Sequence, residues 1–214
     1  MSSKHFPIEL IARGREPFSV TFAAMRAYTD ARTPATADQL WLVEHDPVFT
    51  LGLAADQSHV LQAHDIPVIQ TDRGGEVTFH GPGQAVLYLL LDLKRRRQHG
   101  LVREFVQTIE QAVINTLAAY NLSGVRKPGA PGIYISHGEW QGAKIAALGL
   151  KVRASGCTYH GLSLNVAMDL TPFEYINPCG YADLKCIDMH SLGIKATLPE
   201  VQTTLAHQLQ NLLS

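Results

Sequence analysis

The run Ala85-Val86-Leu87-Tyr88-Leu89-Leu90-Leu91 constrains this chain more than any other stretch. Apolar residues follow one another without a polar alternate, so an extended segment here has no face suited to water. Gly81-Pro82-Gly83 breaks the chain ahead of it. The run is predicted to be a buried strand, and a buried strand needs neighbours to cover it.

The neighbours are legible as patterns. Phe22, Met25 and Tyr28 recur at helical spacing within Phe18 to Arg32, behind Pro17. Val102, Phe105, Val106, Ile109, Val113, Leu117 and Tyr120 form one apolar stripe, with Thr116 as its single polar member. That stripe predicts a helix over Val102 to Tyr120. Thr197-Leu198-Pro199-Glu200 has capping-box spacing ahead of Val201, Leu205 and Leu209. Strands are predicted at Gln39 to Glu44, Ile66 to Gln70, Glu76 to His80 and Tyr159 to Val166. A hairpin is predicted from Gly132 to Ile135 and Ala143 to Val152, turning at His137-Gly138. Thr171-Pro172 reads as a short, 3₁₀-like helix start. Strands in the middle and helices at the ends favour an α/β (α+β) fold with a mixed central sheet and flanking helices. No polar linker divides residues 1–214, so one domain is expected.

Composition limits the partners. The net charge of -1 argues against a nucleic-acid binder, which needs a basic excess. The chain has no apolar run of membrane-spanning length, and Met1 to Glu9 carries no signal-length apolar stretch. Three cysteines, Cys157, Cys179 and Cys186, are expected as free thiols of a reduced, cytoplasmic protein. One basic run, Lys94-Arg95-Arg96-Arg97, reads either as a solvated loop or as a docking patch for an acidic partner.

Four segments carry chemistry. Arg73-Gly74-Gly75-Glu76-Val77-Thr78-Phe79-His80 continues into Gly81-Pro82-Gly83-Gln84. Its glycines allow a ligand close to the backbone. Lys144 stands in the small apolar stretch Gly142 to Gly149, where it is either a strand-edge lysine facing water or a buried amine of lowered pKa suited to general-base work. Gly156-Cys157-Thr158-Tyr159-His160-Gly161-Leu162-Ser163-Leu164-Asn165 again brackets a histidine with glycines. Cys179 lies between Pro178 and Gly180, on a tight turn that suits a nucleophile. Cys157-x2-His160 and Cys179-x6-Cys186-x3-His190 do not meet structural-zinc spacing, so no metal is expected. No G-x-S-x-G elbow occurs.

Together these segments resemble the lipoyl(octanoyl) transferase family of the biotin/lipoate ligase superfamily. The resemblance rests on Trp41 to His45, Pro47 to Thr50, Arg73 to Gln84, Lys144 to Leu150, Gly156 to Val166 and Asn177 to Tyr181. It implies a biotin/lipoate ligase-like catalytic domain that moves an octanoyl group from acyl carrier protein to a lysine of lipoyl domains, as a step of protein lipoylation. Cys179 is implied as acyl-thioester nucleophile and Lys144 as its proton-shuttling partner. Arg73, Gly74, Gly75, Glu76, Val77, Thr78, Phe79 and His80 are implied as one substrate wall. Ala147, Leu148, Gly149, Gly161, Leu162 and Ser163 are implied as the others, with His160 and Asn165 in support. No cofactor and no ATP are expected, because the acyl group arrives already activated on the phosphopantetheine of the carrier. The implied acceptors are lipoyl domains of 2-oxoacid dehydrogenases and the glycine cleavage H protein, and the chain is expected to be a monomer. The rivals are an ATP-dependent ligase of the same superfamily, with Arg13-Gly14-Arg15 and Gly74-Gly75 as parts of its site, and a non-catalytic scaffold. Arg153-Ala154-Ser155-Gly156 is one residue longer than the family pattern, which leaves the strand register there open.

Overall fold

Two β-sheets and the helices around them make up the computed structural model, which describes residues 6–96, 102–178 and 184–213. In chain order the elements are β1 (Ile8–Glu16), α1 (Phe18–Asp30), β2 (Asp38–His45), β3 (Val48–Leu51), β4 (Val68–Gln70), β5 (Thr78–His80), β6 (Gln84–Leu90), α2 (Leu93–Arg96), α3 (Val102–Ala119), β7 (Gly124–Lys127), β8 (Ala130–Ile135), β9 (Lys144–Val152), β10 (Thr158–Asn165) and α4 (Leu198–Leu213). Short 3₁₀ turns cover Gln57–His59 and Thr171–Tyr175. The large sheet runs β1-β2-β6-β10-β9-β8-β7, and the small one β4-β3-β5. β1 is parallel to β2 and β3 to β4, while the other pairs are antiparallel. The sheets are thus mixed, as the strand pattern led one to expect.

The apolar run is β6, near the middle of the large sheet, and every residue of it is buried. Its alternate side chains enter two different cores. Ala85, Leu87, Leu89 and Leu91 pack with Phe105, Ile109, Val113 and Leu117 of α3 and Val201, Leu205 and Leu209 of α4. Val86, Tyr88 and Leu90 pack with Phe18 and Met25 of α1 and with Trp41 and Val43 of β2. A third cluster, Phe49, Leu51, Val77, Phe79, Phe173 and Ile176, holds the small sheet. At about 25 cal/mol per Å² of buried apolar surface, such layers supply the main drive to fold.

The helix signals hold in detail. Thr116 keeps its hydroxyl on the buried stripe of α3 by donating to the Ala112 carbonyl at 2.8 Å. Ahead of α4, Glu200 accepts from the Thr197 N–H and hydroxyl, both at 2.7 Å. The extra residue near Gly156 is absorbed in the turn, where the Arg153 N–H donates to the Cys157 carbonyl at 2.9 Å. The register of β9 with β10 is therefore continuous from Thr158–Val152 to Leu164–Ala146.

Three strands escape the sequence patterns: β1, β3 and β7. In β1 a bulge between Ala12 and Gly14 interrupts the two-residue period. Its Arg13 guanidinium lies 4.4 Å from the Trp41 ring centre, and Arg15 pairs with Asp46 at 2.8 Å. These contacts make Arg13-Gly14-Arg15 part of a sheet edge.

The basic run also needs correction. Lys94, Arg95 and Arg96 form α2, and Arg97 lies outside the described residues. Asp38 is fully buried and pairs with Arg95 at 2.6 Å, Arg96 at 2.7 Å and also Arg32. Arg96 further donates to the Leu213 and Phe6 carbonyls, tying the C-terminal helix and the segment just ahead of β1 to α2. Two arginines read as a solvated or docking patch are thus spent inside the protein. A buried carboxylate must be compensated, and sequence distance hides a partner 57 positions away.

Candidate active site

The site grows from a row of small residues on the α1 side of the large sheet. Tyr88 of β6 pairs with Gly161 of β10, which pairs with Gly149 of β9. One step along, Val86, Ser163 and Ala147 are neighbours in the same way. Small side chains between larger ones leave a hollow. The hollow opens into a cavity of about 250 Å³, lined also by Arg73, Gly75, Glu76, Val77 and Thr78 from the small sheet's loop, and by Lys144, His80 and His160.

Arg73 fixes the roof. It is buried, and its Nη2 donates to the Thr50 carbonyl at 2.7 Å and the Thr50 hydroxyl at 2.9 Å. The loop crosses Gly149 so closely that a Cβ there would lie 2.9 Å from Arg73 Cδ and 3.1 Å from the Gly74 carbonyl oxygen. Glycine at 149 is what lets the two sheets meet over the cavity.

Lys144 begins β9 and is only 4% exposed. That sets aside the strand-edge reading of this residue: it does not face water. Its Nζ donates to the Pro131 carbonyl at 3.1 Å and lies 5.5 Å from the Tyr134 ring centre. Gly132 makes room, since a Cβ there would lie 2.7 Å from Lys144 Cε. Glu110 of α3 secures that backbone by accepting from the Gly132 N–H at 3.1 Å. On the other side, the Lys144 N–H donates to the Lys185 carbonyl, and the Ile187 N–H donates to the Lys144 carbonyl. Pro178 and Cys186 join Lys144, Thr78, Ala147 and Ser163 around a smaller adjoining cavity.

Three histidines sit on this side of the sheet, and burial first of all keeps each below its usual pKa. His80 is pushed down to about 3, with His45 and Arg73 adding repulsion. Its Nδ1 lies 2.6 Å from Gln84 Oε1. Gln84 Nε2 donates to the Phe79 carbonyl and to Asn165 Oδ1, and Asn165 Nδ2 donates to the Ile187 carbonyl. Backbone carbonyls only accept, so they set every amide in this chain and put the proton on His80 Nδ1. His160 is pushed down to about 4 by burial, against the pull of Asp72. Its Nε2 lies 3.1 Å from Asp72 Oδ1. His160 also takes φ +60°, a left-handed conformation uncommon outside glycine. His45 donates from Nδ1 to the Glu16 carbonyl at 2.9 Å, which leaves Nε2 to accept from the Tyr88 hydroxyl at 2.7 Å. Burial pushes the Tyr88 phenol up. Burial would likewise raise Asp72, but hydrogen bonds from Tyr159 and His160 outweigh it and hold the carboxyl low.

Most residues proposed from sequence therefore converge. Arg73, Gly75, Glu76, Val77, Thr78, His80, Lys144, Ala147, Leu148, Gly149, His160, Gly161, Leu162 and Ser163 line one cavity. Phe79 does not: its ring packs against Phe49 and Phe173, at 5.5 and 5.6 Å between centres, because alternate residues of β5 face opposite ways. Gly74 is turned toward β9, its N–H donating to the Leu150 carbonyl. Asn165 stands behind His80 rather than on the wall of the larger cavity. Cys179 lies outside the described residues. Sequence reading missed Tyr88, hidden in the apolar run, and Phe18, counted only as a helix start. It also missed Asp72, which stands just ahead of the Arg73-Gly74-Gly75 motif. Among the described residues no group of His, Cys, Asp and Glu is arranged to hold a metal ion, and no helix is long and apolar enough to cross a membrane.

A catalytic domain with a mixed sheet, and an apolar cavity walled by a buried lysine, defines a class that comparison identifies. Residues 17–210 match the family of the lipoyl protein ligase A/B catalytic domain, and the chain belongs to it. Within that family it falls among the lipoyl(octanoyl) transferases. It is 69% identical over 207 residues to an octanoyltransferase of Janthinobacterium sp. (strain Marseille), covering 96% of both chains. It is 67% identical to an octanoyltransferase of Herminiimonas arsenicoxydans over the full length of both. The fold is shared with a bi-partite lipoate protein ligase of Thermoplasma acidophilum (TM-score 0.74, 15% identity, 98% of this chain and 84% of that one). A biotin protein ligase of Aquifex aeolicus is more distant (TM-score 0.56, 11% identity, 98% and 70%).

Proposed function

We propose that this protein transfers an octanoyl group from the phosphopantetheine thioester of acyl carrier protein to a lysine of lipoyl domains, through a thioester on Cys179. The observation that carries the reading is Lys144, a buried amine on the wall of an apolar cavity in a chain of the octanoyltransferase family. Support for pairing it with Cys179 comes from the flanks of that residue. Pro178, which precedes Cys179 in sequence, shares a small cavity with Lys144, and Lys185 and Ile187, which follow, bond to the Lys144 backbone.

In this reading Lys144 takes the thiol proton and the thiolate attacks the donor carbonyl. The carbon–sulfur bond to the carrier breaks, and Lys144 returns the proton to the carrier's sulfur. The target lysine nitrogen then attacks octanoyl-Cys179, Lys144 accepts a proton from that nitrogen and passes it to the departing Cys179 sulfur, and an amide forms. Thioester exchange is nearly neutral and amide formation is downhill, so no ATP is consumed. About six methylenes in an apolar cavity contribute roughly 5 kcal/mol to holding the chain, before ordering costs. The acceptors would be lipoyl domains of 2-oxoacid dehydrogenases and the glycine cleavage H protein, in a cytoplasmic setting.

The test is intact-protein mass after mixing with octanoyl-acyl carrier protein without ATP, for wild type and Cys179→Ala. The expected result is an octanoyl adduct on wild type alone, lost when a lipoyl domain is added. Transfer that requires free octanoate and ATP would replace this reading with a ligase.

A further inference from the structure

The reaction just proposed leaves one proton without a route, and this inference rests on that reading. A lysine reaches the site as an ammonium, R–NH₃⁺, and ends as an amide N–H. Ammonium plus thioester gives amide, thiol and one proton. Of the two protons the nitrogen sheds, one passes through Lys144 to the Cys179 sulfur. The other must leave a cavity whose walls are mostly apolar.

We propose that His160 and Asp72 carry it out: His160 Nδ1 accepts the second proton of the attacking lysine nitrogen, and Asp72 positions the ring and passes the charge to solvent. Three observations converge on this pair. His160 lines the same cavity as Lys144. Its Nε2 is engaged by Asp72 at 3.1 Å, and a carboxylate only accepts, so Nε2 carries the proton and Nδ1 presents a lone pair. No hydrogen bond engages Nδ1 among the described residues, in a ring that lines the cavity. The Asp72 side chain is 31% exposed while that of His160 is 2% exposed, so the pair spans from cavity to water. The ring is clamped between Phe22 at 5.3 Å and Tyr159 at 5.1 Å. Its backbone is held at a left-handed φ, which aims the side chain at some conformational cost.

The second cavity histidine shows why His160 is the one for the task. His80 is oriented by a neutral amide, Gln84, which fixes its tautomer but brings no negative charge to an imidazolium. His160 is oriented by a carboxylate, which stabilises the charged ring as it forms. The titratable groups facing His160 are Asp72 and Arg73 from the loop before β5, His80 of β5, Lys151 from β9, Tyr88 from β6 and Tyr159 from its own strand. Arg73 and Lys151 disfavour a lasting positive charge, so the imidazolium is transient and discharges past Asp72. As the N–C bond forms, the thioester C–S bond breaks; the two nitrogen protons end on the Cys179 sulfur and in solvent, and charge balances.

The experiment separates the two half-reactions in His160→Asn, since asparagine tolerates positive φ and lacks a basic ring nitrogen. Acylation is followed by mass with octanoyl-acyl carrier protein, and aminolysis of the purified adduct by single turnover with a lipoyl domain across pH. The expected result is aminolysis slowed about 100-fold more than acylation. Hydroxylamine, a neutral nucleophile at pH 7, should restore deacylation to the wild-type rate. Asp72→Asn should show the same selective loss to a smaller degree, and stands in if His160→Asn does not fold. Equal slowing of both half-reactions, or no slowing of aminolysis, overturns the proposal. Absence of an adduct on wild type would overturn the underlying transfer reading, and this inference with it.

Discussion

The two faces of β6 are built from the same kind of residue and come to opposite ends. On one face Leu87, Leu89 and Leu91 meet α3 and α4 in a continuous apolar core. On the other, one turn of the pleat away, Val86 and Tyr88 form part of a cavity wall shared with Lys144, His80 and His160. The first face is filled by large side chains from helices. The second meets Gly161, Gly149, Ala147 and Ser163 on the neighbouring strands, and the missing volume is the cavity. Stability and chemistry are thus divided between the two sides of a sheet.

The sharpest way to break that division is at Lys144. Lys144→Met keeps the side chain's length and apolar stem but removes the amine. Turnover should fall by about 10²–10⁴-fold, measured by octanoylation of a lipoyl domain, with the thermal transition largely retained. If activity survives, the polar side of the sheet is not the catalytic one. The converse change is Leu89→Ala on the helical face. It should cost about 2–5 kcal/mol in denaturant unfolding, while the acyl-chain-length preference of the remaining folded protein stays as it was.

Acid tests the two sides together. His80 and His160 are held below 6.5 in the folded protein, to about 3 and about 4. The unfolded chain therefore binds more protons. Their contribution to stability is complete above about pH 6.5 and is lost as pH falls through 6.5 toward 4, on the order of 3 kcal/mol for each. Denaturation midpoints measured from pH 7.5 to 4.5 should decline, and His160→Asn should flatten the decline. A midpoint that rises on acidification would contradict the buried, neutral state of both rings.

Smaller effects sharpen the comparison. Ala147→Val adds about two methyl-sized groups to the cavity and should shift preference toward shorter acyl chains by several-fold, read from relative kcat/KM across a chain series. Thr197→Ala removes a hydroxyl bonded to Glu200 ahead of α4 and should cost about 1 kcal/mol without altering that preference.

Much of this molecule was legible in one dimension. The β6 run, the α3 stripe and the capping box at Thr197 are local patterns, and each forms the element its period or chemistry demands. The motif segments around Arg73, Lys144 and His160 could be singled out because glycine or lysine stands where an ordinary strand would not place it. Other features depend on partners far along the chain. Arg95 and Arg96 look like solvated charge until Asp38, at the start of β2, accepts them. Phe79 and Val77 stand two apart in one motif, yet only Val77 lines the cavity.

The sequence by itself thus determined the three long helices, the strands other than β1, β3 and β7, and most of the segments that carry reactive side chains, because those depend on periods and on residue chemistry. The tertiary structure alone decided that Lys144 is dry, that Asp72 orients His160, and that four small residues on neighbouring strands leave a hollow. Burial and pairing are properties of what lies across a sheet or under a loop, and chain order carries no measure of that distance.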